Sequence, residues 1–250
     1  MAARTDHDER AEAEADAETA APKRRGASRI AMAVSILGEL LITAGLVLGL
    51  FVVYSLWWTN VVADRKADKQ GDKVRDNWAQ DKGGPGALDT KDGIGFLHVP
   101  SMKNGEVLVE KGTSTKVLND GVAGYYIDPV KATLPMTDKT GNFTLAAHRD
   151  GHGAKFHNID KIKKGDPIVF ETKDDWYVYK VFSILPETSK YNVKVLQSVP
   201  KQSGRTKPGH FITLTTCTPV YTSEYRYIVW GELERVQKVD SARTPPKELG

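Results

Sequence analysis

Residues 211–219 read Phe211-Ile212-Thr213-Leu214-Thr215-Thr216-Cys217-Thr218-Pro219. Successive side chains of a strand point to opposite faces, so Ile212 and Leu214 share one side and Thr213, Thr215 and Cys217 the other. Pro219 cannot donate to a ladder and closes the strand. The single cysteine of the chain therefore stands at a strand end among threonine hydroxyls. A packed thiol would more naturally join the aliphatic face, so the placement favours a reactive role.

Nine residues further on, Arg226 opens the run Tyr227-Ile228-Val229-Trp230. If the two runs fold back antiparallel around the Thr218–Tyr225 loop, Arg226 returns to the thiol. A guanidinium there supplies fixed donors for a developing oxyanion; the alternative is an arginine at a strand end facing solvent. A third run, Phe143-Thr144-Leu145-Ala146-Ala147, ends at His148 and turns through Arg149-Asp150-Gly151-His152-Gly153. A cysteine nucleophile needs a proton partner, and histidine is the usual one. His148, His152 and His157, at spacings of 4 and 5, also raise a zinc reading. Gly151 and Gly153 argue against the helix that would align the first pair, and no His-Glu-x-x-His pattern is present. No metal and no cofactor is expected, and His98 and His210 read as packed or hydrogen-bonded edge residues.

Outward from these runs the chain keeps the same texture. Gly95–Val99, Glu106–Val109, Asn142–Ala147, Pro167–Thr172, Trp176–Ile184, His210–Cys217 and Tyr227–Leu233 read as short strands, and Ala154–Lys163 has room for one short helix. Lys173-Asp174-Asp175 reads as a hairpin loop. Many short strands between turn signals favour a closed barrel or a sandwich over a parallel α/β sheet. There is no internal repeat and no glycine-rich phosphate loop.

Composition narrows the classes further. The 250 residues hold 27% charged and 40% hydrophobic side chains with a net charge of +3, spread over 35 basic and 32 acidic groups, which gives no basic footprint for nucleic acid. One cysteine excludes an intrachain disulfide and a multi-thiolate metal site. Between Ile30 and Trp58 the only charge is Glu39, and ~20 apolar residues suffice to cross a bilayer. Lys23, Arg24, Arg25 and Arg29 precede this run, Trp57 and Trp58 close it, and no small-residue cleavage site follows. These features predict an uncleaved signal anchor in the plasma membrane, N-terminus cytoplasmic and catalytic domain extracytoplasmic. Glu39 reads as lying at the cytoplasmic headgroups.

The expected organisation is a disordered cytoplasmic tail over residues 1–29, a transmembrane segment over 30–58, and a helical stalk or linker over 59–94. A catalytic domain over 95–238 and a flexible tail over 239–250 follow. Within the linker, Ala63, Ala67, Val74 and Trp78 form a helical stripe that could dock on the domain or on another copy, a plain stalk being the default. Gly83-Gly84-Pro85-Gly86 should end that helix.

Taken together, these residues resemble the sortases, membrane-anchored cysteine transpeptidases of the Gram-positive envelope. Thr213-Leu214-Thr215-Thr216-Cys217 matches their TLxTC signature, Ala146-Ala147-His148-Arg149 a second block, and Arg226 the arginine of the last strand. Phe156–Asp160 and Trp176–Val181 also resemble stretches of the family, over roughly Gly95–Val236. The resemblance implies a mainly β, closed eight-stranded barrel with one or two short helices after the single transmembrane helix. It implies Cys217 as nucleophile, His148 as general acid/base and Arg226 as substrate clamp and oxyanion stabiliser. Thr216 would orient the thiol or the substrate backbone, and Thr215, Tyr125 and Tyr126 would join it in binding substrate. Cys217-Thr218-Pro219, Tyr125-Tyr126 and the single anchor look most like class E. The implied partners are secreted proteins with a C-terminal LAXTG- or LPXTG-type signal, cut between Thr and Gly, and an amine of the peptidoglycan precursor lipid II. The competing readings are a tethered envelope-binding β-barrel without activity and a cysteine hydrolase of the same signal.

Overall fold

The strand-like runs become β-strands in the computed structural model, which describes residues 28–80 and 93–250. Eight of them close into a barrel in the order β1-β2-β3-β4-β7-β8-β6-β5. The strands are β1 (Gly95–His98), β2 (Glu106–Lys111), β3 (Ala123–Tyr125), β4 (Gly141–Ala146), β5 (Pro167–Glu171), β6 (Asp175–Ser189), β7 (His210–Thr218) and β8 (Tyr225–Lys238). Neighbours run antiparallel except for the parallel pairs β2–β3 and β4–β7. Barrel closure was one of two options open to the sequence, and it removes the exposed edges that an open sheet would leave.

Alternation along the strands fills the barrel. Phe143, Leu145, Ile212, Leu214, Tyr227 and Val229 meet Leu97, Val109, Phe170 and Tyr179 in one inner cluster. Several outward positions are apolar as well, and three separate coverings bury them. The β6–β7 connection lays Val195 and Leu196 over Ile228 and Trp230. The C-terminal residues Val239 and Leu249 pack on Val169, Trp176 and Val178. Helix α2 (Thr59–Ala79) lays Ala67 and Val74 on Phe96, Leu108 and Val122. This double-sided burial explains why Ile168-Val169-Phe170 is apolar without alternation.

Two segments outside the strands are held against the barrel. Residues 239–250 do not form a free tail: Arg243 donates to Glu171 Oε1 at 2.7 Å and to the Thr172 carbonyl at 2.8 Å, and Glu248 pairs with Arg235 at 2.6 Å. The linker helix is docked rather than free along the length of its stripe, with Ala63, Ala67, Gly71 and Val74 all buried. Gly71 brings it close, since a Cβ there would lie 3.2 Å from the Phe96 ring. Glycine in a helix costs about 1 kcal/mol relative to alanine, whereas burying one large apolar side chain contributes roughly 1.5–3 kcal/mol, so the approach wins. The Gly83–Gly86 breaker and residues 1–27 lie outside the described residues, and the helix is capped at Gln80.

Smaller differences have local causes. β3 went unseen because three residues carry no readable period. β6 runs past Pro186, where shifts in register between Leu185 and Thr188 interrupt the ladder and remove the need for an N–H donor. The segment 154–163 holds only a 3-10 turn, Ile159–Lys161, besides turns. The Lys173–Asp175 hairpin is present and is closed by Thr172, whose hydroxyl bonds both the N–H and the carbonyl of Asp175. Upstream, Arg29–Val53 (α1) has no buried residue and belongs to a helix long and apolar enough to cross a membrane.

Candidate active site

Register across β4, β7 and β8 assembles the site. Parallel pairing sets Ala146 opposite Thr215, so two residues further along both chains His148 draws level with Cys217. Antiparallel pairing makes Cys217 and Arg226 direct partners. Adjacent strands lie about 4.8 Å apart, and paired positions share a face. His148, Cys217 and Arg226 therefore form one row on the outer face of the barrel wall, the cysteine in the middle. Cys217 is partly exposed.

Each member of the row is held by its neighbours. His148 Nε2 lies 2.8 Å from Asn119 Oδ1. An amide oxygen only accepts, so Nε2 carries the proton and Nδ1 keeps its lone pair in the neutral ring. Burial, followed by repulsion from His152, lowers the His148 pKa, and Asp150 opposes part of that shift. The His152 ring centroid stands 5.5 Å from that of His148. Arg226 Nη1 donates to the carbonyls of Tyr225, at 2.9 Å, and Ser223, at 3.1 Å, which anchors its guanidinium at the β7–β8 turn.

Arg149 reads in the sequence only as part of a motif, yet it couples the segments that carry His148 and Cys217. Its side chain is 6% exposed. Nη1 donates to Thr218 Oγ1 at 2.8 Å and to the Cys217 carbonyl at 3.4 Å, and Nη2 pairs with Asp160 at 3.3 Å. Asn119 was missed as well. It caps the short helix α3 (Thr115–Leu118), and no local pattern links it to a histidine 29 positions away.

The four expected substrate-binding residues divide by parity. Tyr126 and Thr215 lie on the outer face, their hydroxyls 3.5 Å apart. Burial raises the Tyr126 pKa, Thr215 and Arg226 lower it in part, and Cys217 raises it again, which places this phenol within reach of the row. Tyr125 points into the inner cluster and is 6% exposed. Thr216 also faces inward, and its hydroxyl donates to the Ala147 carbonyl at 2.7 Å. Tyr125 and Thr216 are thus both buried, and Thr216 ties the end of β4 to β7. Strand alternation already puts Thr216 on the side of Ile212 and Leu214.

Among the described residues, only His98, Glu106 and Glu171 bring three possible ligand atoms together, within 4.8 Å of one another. That cluster is already neutralised: Arg75 bonds both carboxylates and Arg243 bonds Glu171. It acts as an ionic junction between α2, the barrel and the C-terminal residues. Among the described residues the three histidines considered for zinc do not form such a group, and His157 Nδ1 donates to the Arg149 carbonyl at 2.8 Å.

Known proteins are similar to this chain in sequence and fold. Residues 97–234 match the family profile described as "Sortase domain". The chain is 72% identical to Sortase SrtE2 of Streptomyces coelicolor over 256 residues, covering 100% of both chains. The crystal structure of Sortase E1 from Streptomyces coelicolor, with a tripeptide in its active site, is similar at a TM-score of 0.59 and 47% identity, over 63% of this chain and 96% of that one. Sortase E from Streptomyces avermitilis gives a TM-score of 0.54 at 31% identity, over 63% of this chain and 97% of that one.

Proposed function

Because this chain belongs to the sortase family of cysteine transpeptidases, class E, we propose that it cuts LAXTG- or LPXTG-type sorting signals between Thr and Gly and transfers the acyl group to a peptidoglycan-precursor amine. The observation that carries this reading is the row of His148, Cys217 and Arg226 across three adjacent strands. The tripeptide in Sortase E1 supports a peptide-binding groove at the corresponding position.

The Cys217 thiolate attacks the Thr carbonyl carbon, and the C–N bond to glycine breaks after the tetrahedral intermediate collapses. His148, as imidazolium, gives its proton to the departing glycine nitrogen. The incoming amine then loses a proton to His148 as it attacks the thioester, and Cys217 departs as thiolate. Arg226 donates to the oxyanion in both halves. Among the described residues no hydrogen bond joins the imidazole to Sγ, so the substrate's own nitrogen bridges the two groups during turnover.

Magnitudes set the expected pace. At unperturbed values only ~3% of a thiol is ionised and about a quarter of an imidazole is protonated at pH 7, so under ~1% of enzyme holds both forms, a penalty of roughly 3 kcal/mol. The lowered His148 pKa makes the imidazolium scarcer still. Slow turnover is tolerable where enzyme and substrate share one membrane surface. The apolar α1 helix supports anchoring in the plasma membrane, and Lys23, Arg24, Arg25 and Arg29 before it support a cytoplasmic N-terminus.

The test is mass spectrometry of the full-length protein in detergent, trapped with an LAXTG peptide. An acyl adduct on Cys217, absent in Cys217→Ala, is expected. Cleavage that persists in Cys217→Ala removes the nucleophile assignment. Release of free acid alone in the presence of an added amine would show a hydrolase instead.

A further inference from the structure

The turn that follows His148 and the corner that carries its hydrogen-bond partner both lean on the same outside element. Asn60 Oδ1 accepts from the Gly153 N–H at 2.9 Å, and Asp64 Oδ1 pairs with Lys155 Nζ at 2.9 Å. On the other side of the histidine, Lys66 pairs with Asp120 at 2.9 Å, next to Asn119. Backbone meets backbone between these contacts. A Cβ on Gly121 would come within 2.8 Å of the Ala63 carbonyl oxygen, and one on Gly153 within 3.0 Å of Asp64 Oδ1 and 3.2 Å of Gly121 Cα. Both glycines have positive φ, +76° and +81°, so no other residue suits the junction.

We propose that the first two turns of α2, through Asn60, Asp64 and Lys66, are a positioning element of the active site, fixing from outside the two loops that orient His148. This rests on the reading of His148 as the general acid/base. The contacts are ill-suited to a purely stabilising role. Lys66 and Asp120 are both about half exposed, and such a pair contributes only about 0–1 kcal/mol, while Asp64 is half exposed against a mostly buried Lys155. Ala63 is buried between these polar contacts, but the apolar cluster of α2 centres further along the helix, at Ala67, Val74 and Trp78. The polar contacts instead converge on the residues flanking the histidine, where a displacement of about 1 Å can lower a rate 100-fold. The helix that follows the apolar segment thereby sets the geometry of proton transfer.

The experiment uses the full-length chain in detergent micelles, with an LAXTG peptide and an added amine, normalised to active sites by thiol titration. Asp64→Lys, which repels Lys155, should lower kcat about 5–10-fold with KM within about twofold. Asn60→Leu, which keeps size and loses the acceptor, should do the same to a smaller degree. The charge swap Asp64→Lys with Lys155→Asp should recover most of the loss, and Lys69→Asp, exposed on the same helix, should change nothing. Parent-level kcat in both Asp64→Lys and Asn60→Leu, while His148→Ala is inactive, overturns the inference and leaves the reaction assignment standing. A loss that the charge swap does not rescue points to general destabilisation and also overturns it. Full activity in His148→Ala overturns the underlying reading and, with it, this one.

Discussion

The guanidinium of Arg149 donates to the Thr218 hydroxyl at 2.8 Å, so the residue after the histidine grips the residue after the cysteine. The two proposed catalytic groups are 69 positions apart in the chain, and this bond fixes one segment relative to the other.

Arg149→Met should therefore lower kcat/KM about 10–100-fold while destabilising the fold by roughly 1–3 kcal/mol. Thr218→Val, which removes one partner only, should have a smaller effect on both. Peptide cleavage assays and urea titrations of each variant test this. An Arg149→Met enzyme with parent kcat/KM would show that the clamp is dispensable.

Arg226→Ala should reduce kcat/KM about 100–1,000-fold, the loss expected for an oxyanion donor. Arg226→Lys should recover only part of it. An ammonium keeps the charge but cannot bond the Tyr225 and Ser223 carbonyls and still present a fixed fork to the groove. Equal activity of the lysine variant and the parent would reduce the role to simple charge.

The pH profile carries a sign. Burial and the His152 imidazole hold the His148 pKa below its usual value, so the acid limb of kcat/KM should fall below about pH 6.5. His152→Asn removes the repulsion and should move that limb upward, and Asp150→Asn removes the opposing carboxylate and should move it downward. Histidine NMR titrations alongside the rate profiles check the assignment. An acid limb above pH 6.5 in the parent contradicts it.

Glu171 should govern acid stability. Burial alone pushes its carboxyl up, but hydrogen bonds from His98, Arg75 and Arg243 outweigh this and bring it down to about 2. A depressed carboxylate stabilises the fold fully above its unfolded value, near 4.5, and the stabilisation is lost as pH falls toward 2. The shift corresponds to about 3 kcal/mol. Urea unfolding at pH 7 and pH 3 should show a large part of this loss in the parent. Glu171→Gln should be less stable at pH 7, with Arg243 left without a carboxylate and Arg75 paired with Glu106 alone, and less dependent on pH.

The particular elements show how far local pattern reaches. Seven of the eight strands, the 173–175 hairpin and the return of Arg226 to the thiol follow from alternation, turn residues and the length of one loop. The inward orientation of Thr216 was also available from alternation. The docking of α2 was half legible, because the stripe Ala63, Ala67, Val74 and Trp78 declares an apolar face without naming what covers it. The pinned C-terminal residues left no comparable sign: Arg243 and Glu248 look like any surface charges until Glu171 and Arg235 are placed beside them.

By itself, the sequence determined which segments are extended, which helix is apolar enough for a bilayer, and which three side chains could perform cysteine acyl transfer. Those properties are local, set by the period of a strand, the run length of a helix and the chemistry of a residue. Only the tertiary structure decided that β4 lies parallel beside β7, that Asn119 and Arg149 hold the segments of His148 and Cys217, and that α2 contacts the loops around His148. Strand neighbours are chosen by the collective free energy of burying both faces of a closed barrel, and no single stretch of chain carries that sum.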